Sequence, residues 1–535
     1  MRRDLIVLTG VALVTRVLVA LVVDTAPWTD SAYYFVSGRQ MATGQGMTVP
    51  FVWSVLETGG KLSAAPMLPI PSHAHWMPLT AFVAAAGMVV GGASELAARV
   101  PFILLSTAMT PVAYWFARQT WRSRSAAIAA GLLVVFSGPL LLFGSIVENY
   151  AVFGLAGAGA LHAAMRSVAD PPRRRVWLIG SGLLVGVATL ARIEGVLLSL
   201  ATATAWMIGM GWGPWRAEGP KPGWLAGFAS AGAFAAVLVP WALRNIASFG
   251  AALPSTGGHT LFIKSYNEQF SMTADTSVGA FLAQGPLTII GQKVSAWLTI
   301  GGYAIALLAG VFGALFLAGL WIHRRRADLV PFIVYWVLMF AVMGGLFTFH
   351  APHGLFYHHA SAWLPIAAPL AAVTIPPLAT AASRWWWFLG RPATHRFLLI
   401  VTLIASMLFS VAASALLLGE WRTNLAAVDR VATFLTSRPD DERVMFRDAP
   451  LLATATEHEV IGSTFDPYPV IGEIAEAYGV RWFVAQRQAR GPAVEPQGLW
   501  EGGAAVDDHG NRAHWLAIEP AYEDDLVRIY EVDPP

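Results

Sequence analysis

The sequence predicts a polytopic α-helical membrane protein of about 11 transmembrane helices, with a small extracytoplasmic α/β domain at its C-terminal end. Three observations carry this reading. Of 535 residues, 56% are hydrophobic and only 13% are charged, about half the charge of an average soluble chain. Apolar runs of roughly 15 to 23 residues recur from Leu5 to Leu418, most of them long enough for a hydrocarbon core of about 30 Å. The charge is also divided: after Leu418 there are 10 Lys and Arg against 21 Asp and Glu, and before it 25 against 12. The tail, residues 420–535, therefore reads as a separate acidic soluble domain, and residues 1–419 as the membrane domain. No Cys is present, which excludes disulfides, thiolate zinc sites and Cys nucleophiles.

The expected spans are Leu5 to Val23, Val100 to Ala117, Ala126 to Phe143, Ala151 to Met165, Val176 to Ala191, Gly195 to Met210, Trp224 to Leu243, Thr299 to Trp321, Leu329 to Thr348, Ala360 to Leu378 and Phe397 to Leu418. The first opens Met1-Arg2-Arg3 but is long, contains Arg16 and lacks a small-residue cleavage site before Trp28, so it reads as a retained helix. The shorter stretch Pro78 to Val90 reads as a helix lying at the interface. Alternating the connections gathers 17 cations on short loops of one side: Arg2, Arg3, Arg118, Arg122, Arg124, Arg166, Arg173, Arg174, Arg175, Arg216, Lys221, Arg324, Arg325, Arg326, Arg384, Arg391 and Arg396. The opposite side holds Arg39, Lys61, Arg99, Arg192, Arg244, Lys264 and Lys293. The positive-inside rule then puts the N-terminus in the cytoplasm and the C-terminal domain outside, an inner-membrane topology. Were Pro78 to Val90 a full span, Arg2 and Arg3 would face away from the other cations.

Two outer loops are long, 24–99 and 244–297, and loops of that length are uncommon without a function. In the tail, helix-like stretches (Asn424 to Thr436, Pro469 to Tyr478) alternate with strand-like runs (Arg443 to Phe446, Val480 to Val484, Val527 to Val532), the pattern of a small α/β unit.

Ionisable groups at a membrane edge are costly, so those on the outer face mark candidate chemistry. Asp30 follows the first span, Glu148 sits at the turn between the third and fourth, and Glu194 follows Arg192 between the fifth and sixth. Each has a structural alternative: Asp30 as the cap of a helix begun by Ser31, Glu148 at a helix N-terminus, and Arg192 with Glu194 as an interfacial ion pair. Their convergence on one face favours chemistry, because a partly dehydrated carboxylate has the raised proton affinity of a general base. Histidines share the bias: His73, His75, His259, His350, His353, His358 and His359 all fall on outer loops. The spacings His73-x-His75 and His350-x-x-His353 leave a divalent metal open, while donors to an anionic group fit better in the absence of a specific metal motif. Lys264 and Arg244 lie on the same side, although Arg244 also suits snorkelling at a helix end. Tyr33, Tyr34, Trp53 and Trp76 read first as interfacial anchors.

The ordered set Asp30-Ser-Ala-Tyr-Tyr-Phe, Ala-Thr-Gly44-Gln-Gly46, His75-Trp-Met-Pro78-Leu, Ala97-Ala-Arg99-Val-Pro101, Ser137-Gly-Pro139 with Glu148 beyond, Arg192, and Pro240-Trp241-Ala-Leu-Arg244-Asn245 resembles the GT-C superfamily of lipid-linked-sugar glycosyltransferases. The likeness is to its branch of protein O-mannosyltransferases and bacterial aminoarabinose transferases. With the tenth span it covers roughly residues 1 to 380. The resemblance implies that Asp30 is the catalytic acid of the family, that Glu148 matches a second acidic motif, and that the helix after Pro78 is a juxtamembrane helix. Two departures stand out: many relatives carry Asp-Glu where this chain has Asp30-Ser31, and an Arg where it has His358 and His359.

On that basis the expected activity is transfer of a sugar from a polyprenyl-phosphate donor to a hydroxyl of a protein, lipid or polysaccharide acceptor, by a single inverting displacement with Asp30 as base. Arg192, Arg244, Lys264, His358 and His359 are candidates for the donor phosphate. Glu148 is expected to hold hydroxyls or a metal, with Tyr33, Tyr34, His73, His75 and Glu194 as further substrate-binding candidates. The alternatives are a transporter or lipid flippase, which should show inverted repeats and midplane charges, and a non-catalytic receptor. Nucleic acid is not an expected partner, because the basic loops are short and explained by topology.

Overall fold

A computed structural model describes every residue except 24–25, 59–66, 216, 255–258, 488–512, 518 and 533–535. Lys61 and Arg216 of the topology argument lie outside the described residues. The membrane part comprises α1 (Arg2–Val22), α2 (Thr29–Ala42), α3 (Leu79–Gly91), α4 (Glu95–Trp121), α5 (Arg124–Val135), α6 (Gly138–Phe143), α7 (Tyr150–Ala169), α8 (Arg174–Ala191), α9 (Ser199–Met210), α10 (Trp224–Phe249), α11 (Val278–Ala283), α12 (Pro286–Leu307), α13 (Val311–Ile322), α14 (Val330–Gly345), α15 (Phe356–Ala382) and α16 (Pro392–Leu435). Local chemistry sets several ends: the Ser94 and Ser123 hydroxyls accept from backbone N–H groups in the first turns of α4 and α5, and Pro286 and Pro392 open α12 and α16, where a missing N–H costs nothing.

Among the described residues, eight helical segments are long and apolar enough to cross a membrane, or nine if the bent pair α12 and α13 is one span. The chain is an integral membrane protein. Two of the about 11 expected spans take a different form from a single long helix. The run Ala126 to Phe143 is interrupted between α5 and α6, and the ninth expected span shrinks to the 16 residues of α14. Gly138-Pro139 stands at the α5–α6 break, where proline cannot continue the hydrogen-bond ladder. Arg16, 1% exposed, reaches from α1 to donate to the carbonyls of Val134 (3.4 Å) and Leu141 (3.0 Å), so the guanidinium and carbonyls near the C-terminal ends of the two segments satisfy one another. The pair α12 and α13 bends by 108° at Ala309 and Gly310, whose φ values are 53° and 77°.

The helix expected from Pro78 is α3, whose Thr80, Ala81, Ala84 and Met88 are buried. It packs on α2, and Gly38 permits the close crossing: a Cβ there would meet Met88 Cε at 3.0 Å and Ala84 Cβ at 3.1 Å.

After the membrane α16 continues unbroken to Leu435, so the expected helix from Asn424 is its last turns, and residue 420 falls inside a helix. Beyond it come β4 (Arg443–Phe446), α17 (Ala449–Leu452), β5 (Val460–Gly462), α18 (Tyr468–Ala477), β6 (Val480–Gln486), β7 (Tyr522–Glu523) and β8 (Val527–Glu531). The long loop between α2 and α3 supplies β1 (Thr48–Val49), β2 (Phe51–Val52) and β3 (Ile70–Pro71). β1 pairs with β3, but β2 joins the C-terminal sheet, whose order is β2-β5-β4-β6-β8-β7. The pairs from β2 to β6 are parallel, with Phe51 opposite Val460, and β8 is antiparallel to both neighbours. The long loop between α2 and α3 is thus hydrogen-bonded into the C-terminal sheet.

Candidate active site

α2 starts at Thr29, with Trp28 as its cap residue and no side-chain cap. Asp30 therefore stands in the first turn and does not act as a cap. Its side chain, 25% exposed, lies 3.8 Å from the Arg192 guanidinium and 3.8 Å from His358 Nε2. Arg192 follows α8 and also pairs with Glu194 at 3.1 Å. His358, on the first turns of α15, donates from Nδ1 to the Asn149 side-chain oxygen at 2.8 Å, which leaves Nε2 of the neutral ring turned to Asp30. Its ring is held between Tyr150, 4.6 Å between centroids, and Trp28, 6.1 Å.

Glu148 is fully buried in the turn before α7 and lies 3.9 Å from His358 Nδ1. It accepts from the Trp28 indole N–H at 2.9 Å and from the Asn149 backbone N–H at 2.8 Å. Burial raises the Glu148 carboxyl well above the usual range, and the charge of Asp30 adds to the effect. Burial also raises Asp30; Arg192 opposes that rise, while Asp448 and Glu194 reinforce it.

Asp30 opens onto a cavity of about 540 Å³, walled by Trp53, Trp76, Trp241 and Tyr266 as well as by His75, Arg192, Glu194, His350 and His358. A second, apolar groove of about 360 Å³ runs between Trp28, Phe143, Tyr150, Leu307, Phe409 and Leu417. The two share His353 and Gly354, in the irregular turn between α14 and α15. Gly354 adopts φ 128° there, a conformation other residues rarely reach.

This fold of apolar helices with a small C-terminal sheet is found in solved structures. ArnT from Cupriavidus metallidurans, determined with undecaprenyl phosphate bound, is similar at 13% identity over 99% of both chains, with a TM-score of 0.59. The Archaeoglobus fulgidus oligosaccharyltransferase, determined with Zn and sulfate, is similar at 11% identity over 90% of this chain and 68% of that one, with a TM-score of 0.57. AglB from Archaeoglobus fulgidus, in complex with an inhibitory peptide and a dolichol-phosphate, is similar at 10% identity over 89% of this chain and 69% of that one, with a TM-score of 0.52. The family model of dolichyl-phosphate-mannose-protein mannosyltransferase matches residues 72–241. The fold is that of the GT-C superfamily. No curated protein sequence matches the chain.

Within this GT-C fold the residues singled out in the sequence divide into two groups. Asp30, Tyr34, His73, His75, Arg192, Glu194 and His358 line the cavity. Tyr33, Glu148, Arg244, Lys264 and His359 do not, and each has a visible reason. The Tyr33 phenol accepts from the His73 backbone N–H at 2.7 Å. Glu148 lies behind His358. Arg244 stacks on Trp241 and Phe249 and reaches the Met47 carbonyl. Lys264 pairs with Glu268 at 3.4 Å, and His359 is bonded between Tyr335 and the Glu194 carbonyl. Tyr33, Tyr34 and Trp76, read as interfacial anchors, are buried in the protein. Burial holds His73 and His75 neutral, pushed down to about 3 and about 4, so they suit hydroxyl groups better than a phosphate.

Asn149, Tyr266 and Gln269 are site residues that sequence reasoning passed over. Only the position of Asn149 beside Glu148 hinted at a role. Among the described residues, Asp30, Glu148 and His358 are the group able to hold a metal ion, with one ligand atom from each within 4.8 Å of the others. Two carboxylates and an imidazole suit a hard or borderline divalent cation, so the donor set fits. The His-x-His and His-x-x-His spacings do not supply such a group.

Proposed function

We propose that this protein is a membrane glycosyltransferase that moves a sugar from a polyprenyl-phosphate donor to an acceptor hydroxyl, with Asp30 as general base. One observation carries the reading: a cavity-facing carboxylate flanked by a guanidinium and an imidazole at 3.8 Å, in a cavity that shares His353 and Gly354 with an apolar groove. A lipid-linked sugar has this same division, with an isoprenoid tail for the groove and a polar head for the cavity. The polyprenyl-phosphate ligands of similar structures agree with it.

In the proposed reaction Asp30 takes the proton of the acceptor hydroxyl as its oxygen attacks the anomeric carbon. The bond from that carbon to the phosphate oxygen breaks on the opposite face, and its electron pair leaves with the polyprenyl phosphate. Configuration inverts. Arg192 stabilises the departing phosphate and pairs with Asp30 at 3.8 Å, and the buried His358 ring walls the cavity beside Asp30. The neutral His75 and the aromatic walls bind the uncharged sugar and acceptor. A divalent cation held by Asp30, Glu148 and His358 would offset the two carboxylate charges and polarise the phosphate. The 17 cations on short loops support an orientation with the N-terminus in the cytoplasm and the site and C-terminal sheet outside. As the chain has no Cys, single introduced cysteines and an impermeant thiol reagent test that orientation.

The activity is tested by incubating purified protein with a panel of radiolabelled polyprenyl-phosphate sugars, with and without chelator. Consumption of one donor with release of polyprenyl phosphate supports the proposal, whereas no consumption across the panel contradicts it. Loss of turnover in chelator, restored by a divalent cation, would assign the metal.

A further inference from the structure

The proposed base sits on α2, a helix outside the set of candidate spans, and the chain grips that helix from an unexpected place. The turn between β4 and β5, some 420 residues away in sequence, packs α17 against it. At the N-terminal end of α2 the Thr29 hydroxyl donates to Asp448 Oδ2 at 2.8 Å. The other Asp448 oxygen accepts from the Leu451 N–H and so opens α17. At the C-terminal end of α2 Arg39 donates to the Ala453 carbonyl at 3.2 Å. Both ends are therefore tied to one six-residue segment, 448–453, and β2, which follows α2 and β1, is itself an edge of the C-terminal sheet, with Phe51 opposite Val460. Thr29 adjoins Asp30. A hydrogen bond at that position fixes where the Asp30 carboxylate enters the cavity, and a displacement of about 1 Å at a reacting group costs up to about 100-fold in rate.

Resting on the reading of Asp30 as base, we propose that Asp448 and Thr29 are positioning residues for the transfer reaction, through which the C-terminal sheet sets the placement of Asp30. Asp448 does not line the cavity and touches no reacting atom; it acts through its hydrogen bond to Thr29, and because its charge also bears on Asp30, the uncharged Thr29→Val isolates the positioning effect. The apolar groove takes Trp28 from this end of α2, but its other lining residues come from α6, α7, α12, α15, α16 and the turn before α15, so most of the lipid contact is separable from this clamp.

The test uses full-length protein in nanodiscs, with the variants Thr29→Val, Thr29→Ser, Asp448→Asn and Asp30→Asn. Affinity is measured with undecaprenyl phosphate, turnover with the polyprenyl-phosphate sugar that the wild type consumes, and backbone mobility by hydrogen exchange across Thr29–Ala42. The expected result is a kcat about tenfold or more lower in Thr29→Val and Asp448→Asn, faster exchange in α2, unchanged undecaprenyl phosphate affinity, and recovery of both kcat and protection in Thr29→Ser. Wild-type kcat in Thr29→Val and Asp448→Asn overturns the proposal, as does a loss of kcat that Thr29→Ser does not restore or that follows a loss of lipid affinity. If Asp30→Asn is inactive while Thr29→Val turns over normally, the clamp alone is refuted. If Asp30→Asn turns over, the underlying reading falls first.

Discussion

The indole N–H of Trp28 donates to Glu148 Oε2 over 2.9 Å, joining the residue two before Asp30 to the turn that opens α7. The bond spans 120 residues of sequence and gives a fully buried carboxyl one of its two donors. Trp28→Phe keeps an aromatic ring against Phe143 and His358 but removes the donor. A buried group left short of a hydrogen bond costs about 1 to 3 kcal/mol. The expected outcome is a melting temperature several degrees lower in a detergent thermal-shift assay, with slower transfer; an unchanged melting temperature would show that water or a neighbour replaces the indole.

Asp466 ties the long loop between α10 and α12 to the C-terminal domain. Its carboxylate accepts from the Ser271 hydroxyl, the Met272 N–H, and the N–H and hydroxyl of Thr273, and these donors hold its carboxyl below the usual range despite partial burial. Asp466→Ala should cost roughly 2 to 4 kcal/mol and loosen the segment that brings Tyr266 and Gln269 to the cavity. Because the folded carboxyl titrates lower than the unfolded one, its contribution is present above about pH 4 and fades as pH falls below that. Denaturation of wild type and variant at pH 7 and pH 3 checks both parts, with the gap between them narrowing at the lower pH.

Glu57 has the opposite sign. It is 9% exposed, accepts the Trp53 N–H at 2.9 Å, and burial pushes its carboxyl from the ordinary 4.5 to about 7. The folded state favours the protonated form, so the contribution is complete below pH 4.5 and is lost as pH rises through 7. Glu57→Gln removes that dependence. Its stability relative to wild type should rise by at most about 3 kcal/mol between pH 4.5 and 8, and parallel pH–stability curves would contradict the assignment.

The apolar groove makes a separate prediction. Ala413 lines it and is absent from the cavity wall. Ala413→Trp fills much of the space and should raise KM for a long-chain polyprenyl donor at least tenfold, with kcat little changed and with a smaller effect on a donor of two or three isoprene units. Equal effects on long and short donors would remove the tail from this groove.

The spans were readable because membrane burial imposes long apolar runs, and the breaks were not, because hydropathy does not register geometry. The run through Ala126 to Phe143 stays apolar where Arg16 from another helix takes up its carbonyls, and Ala309 with Gly310 bends a continuous apolar stretch. Asp30, Arg192 and His358 were legible because charge and imidazole are conspicuous at a membrane edge. Arg244 and Lys264 shared that signal yet point elsewhere, since local partners in Trp241 and Glu268 claim them. The two-residue strand Phe51–Val52 is too short to show periodicity, and its partner Val460 lies some 400 residues away, so nothing local announces the link between outer loop and C-terminal sheet. Neutral residues such as Asn149 and Gln269 carry no compositional mark at all.

In the proposed reaction Asp30 removes the acceptor proton while the lipid donor is held by other groups. The direct measurement is single-turnover transfer by Asp30→Asn, paired with undecaprenyl phosphate affinity on the same preparation. The account predicts transfer at least 1,000-fold slower, on the order of the larger contributions of a general base and charged group together, with lipid affinity close to wild type. Transfer within a few-fold of wild type in a folded, lipid-binding variant would contradict it.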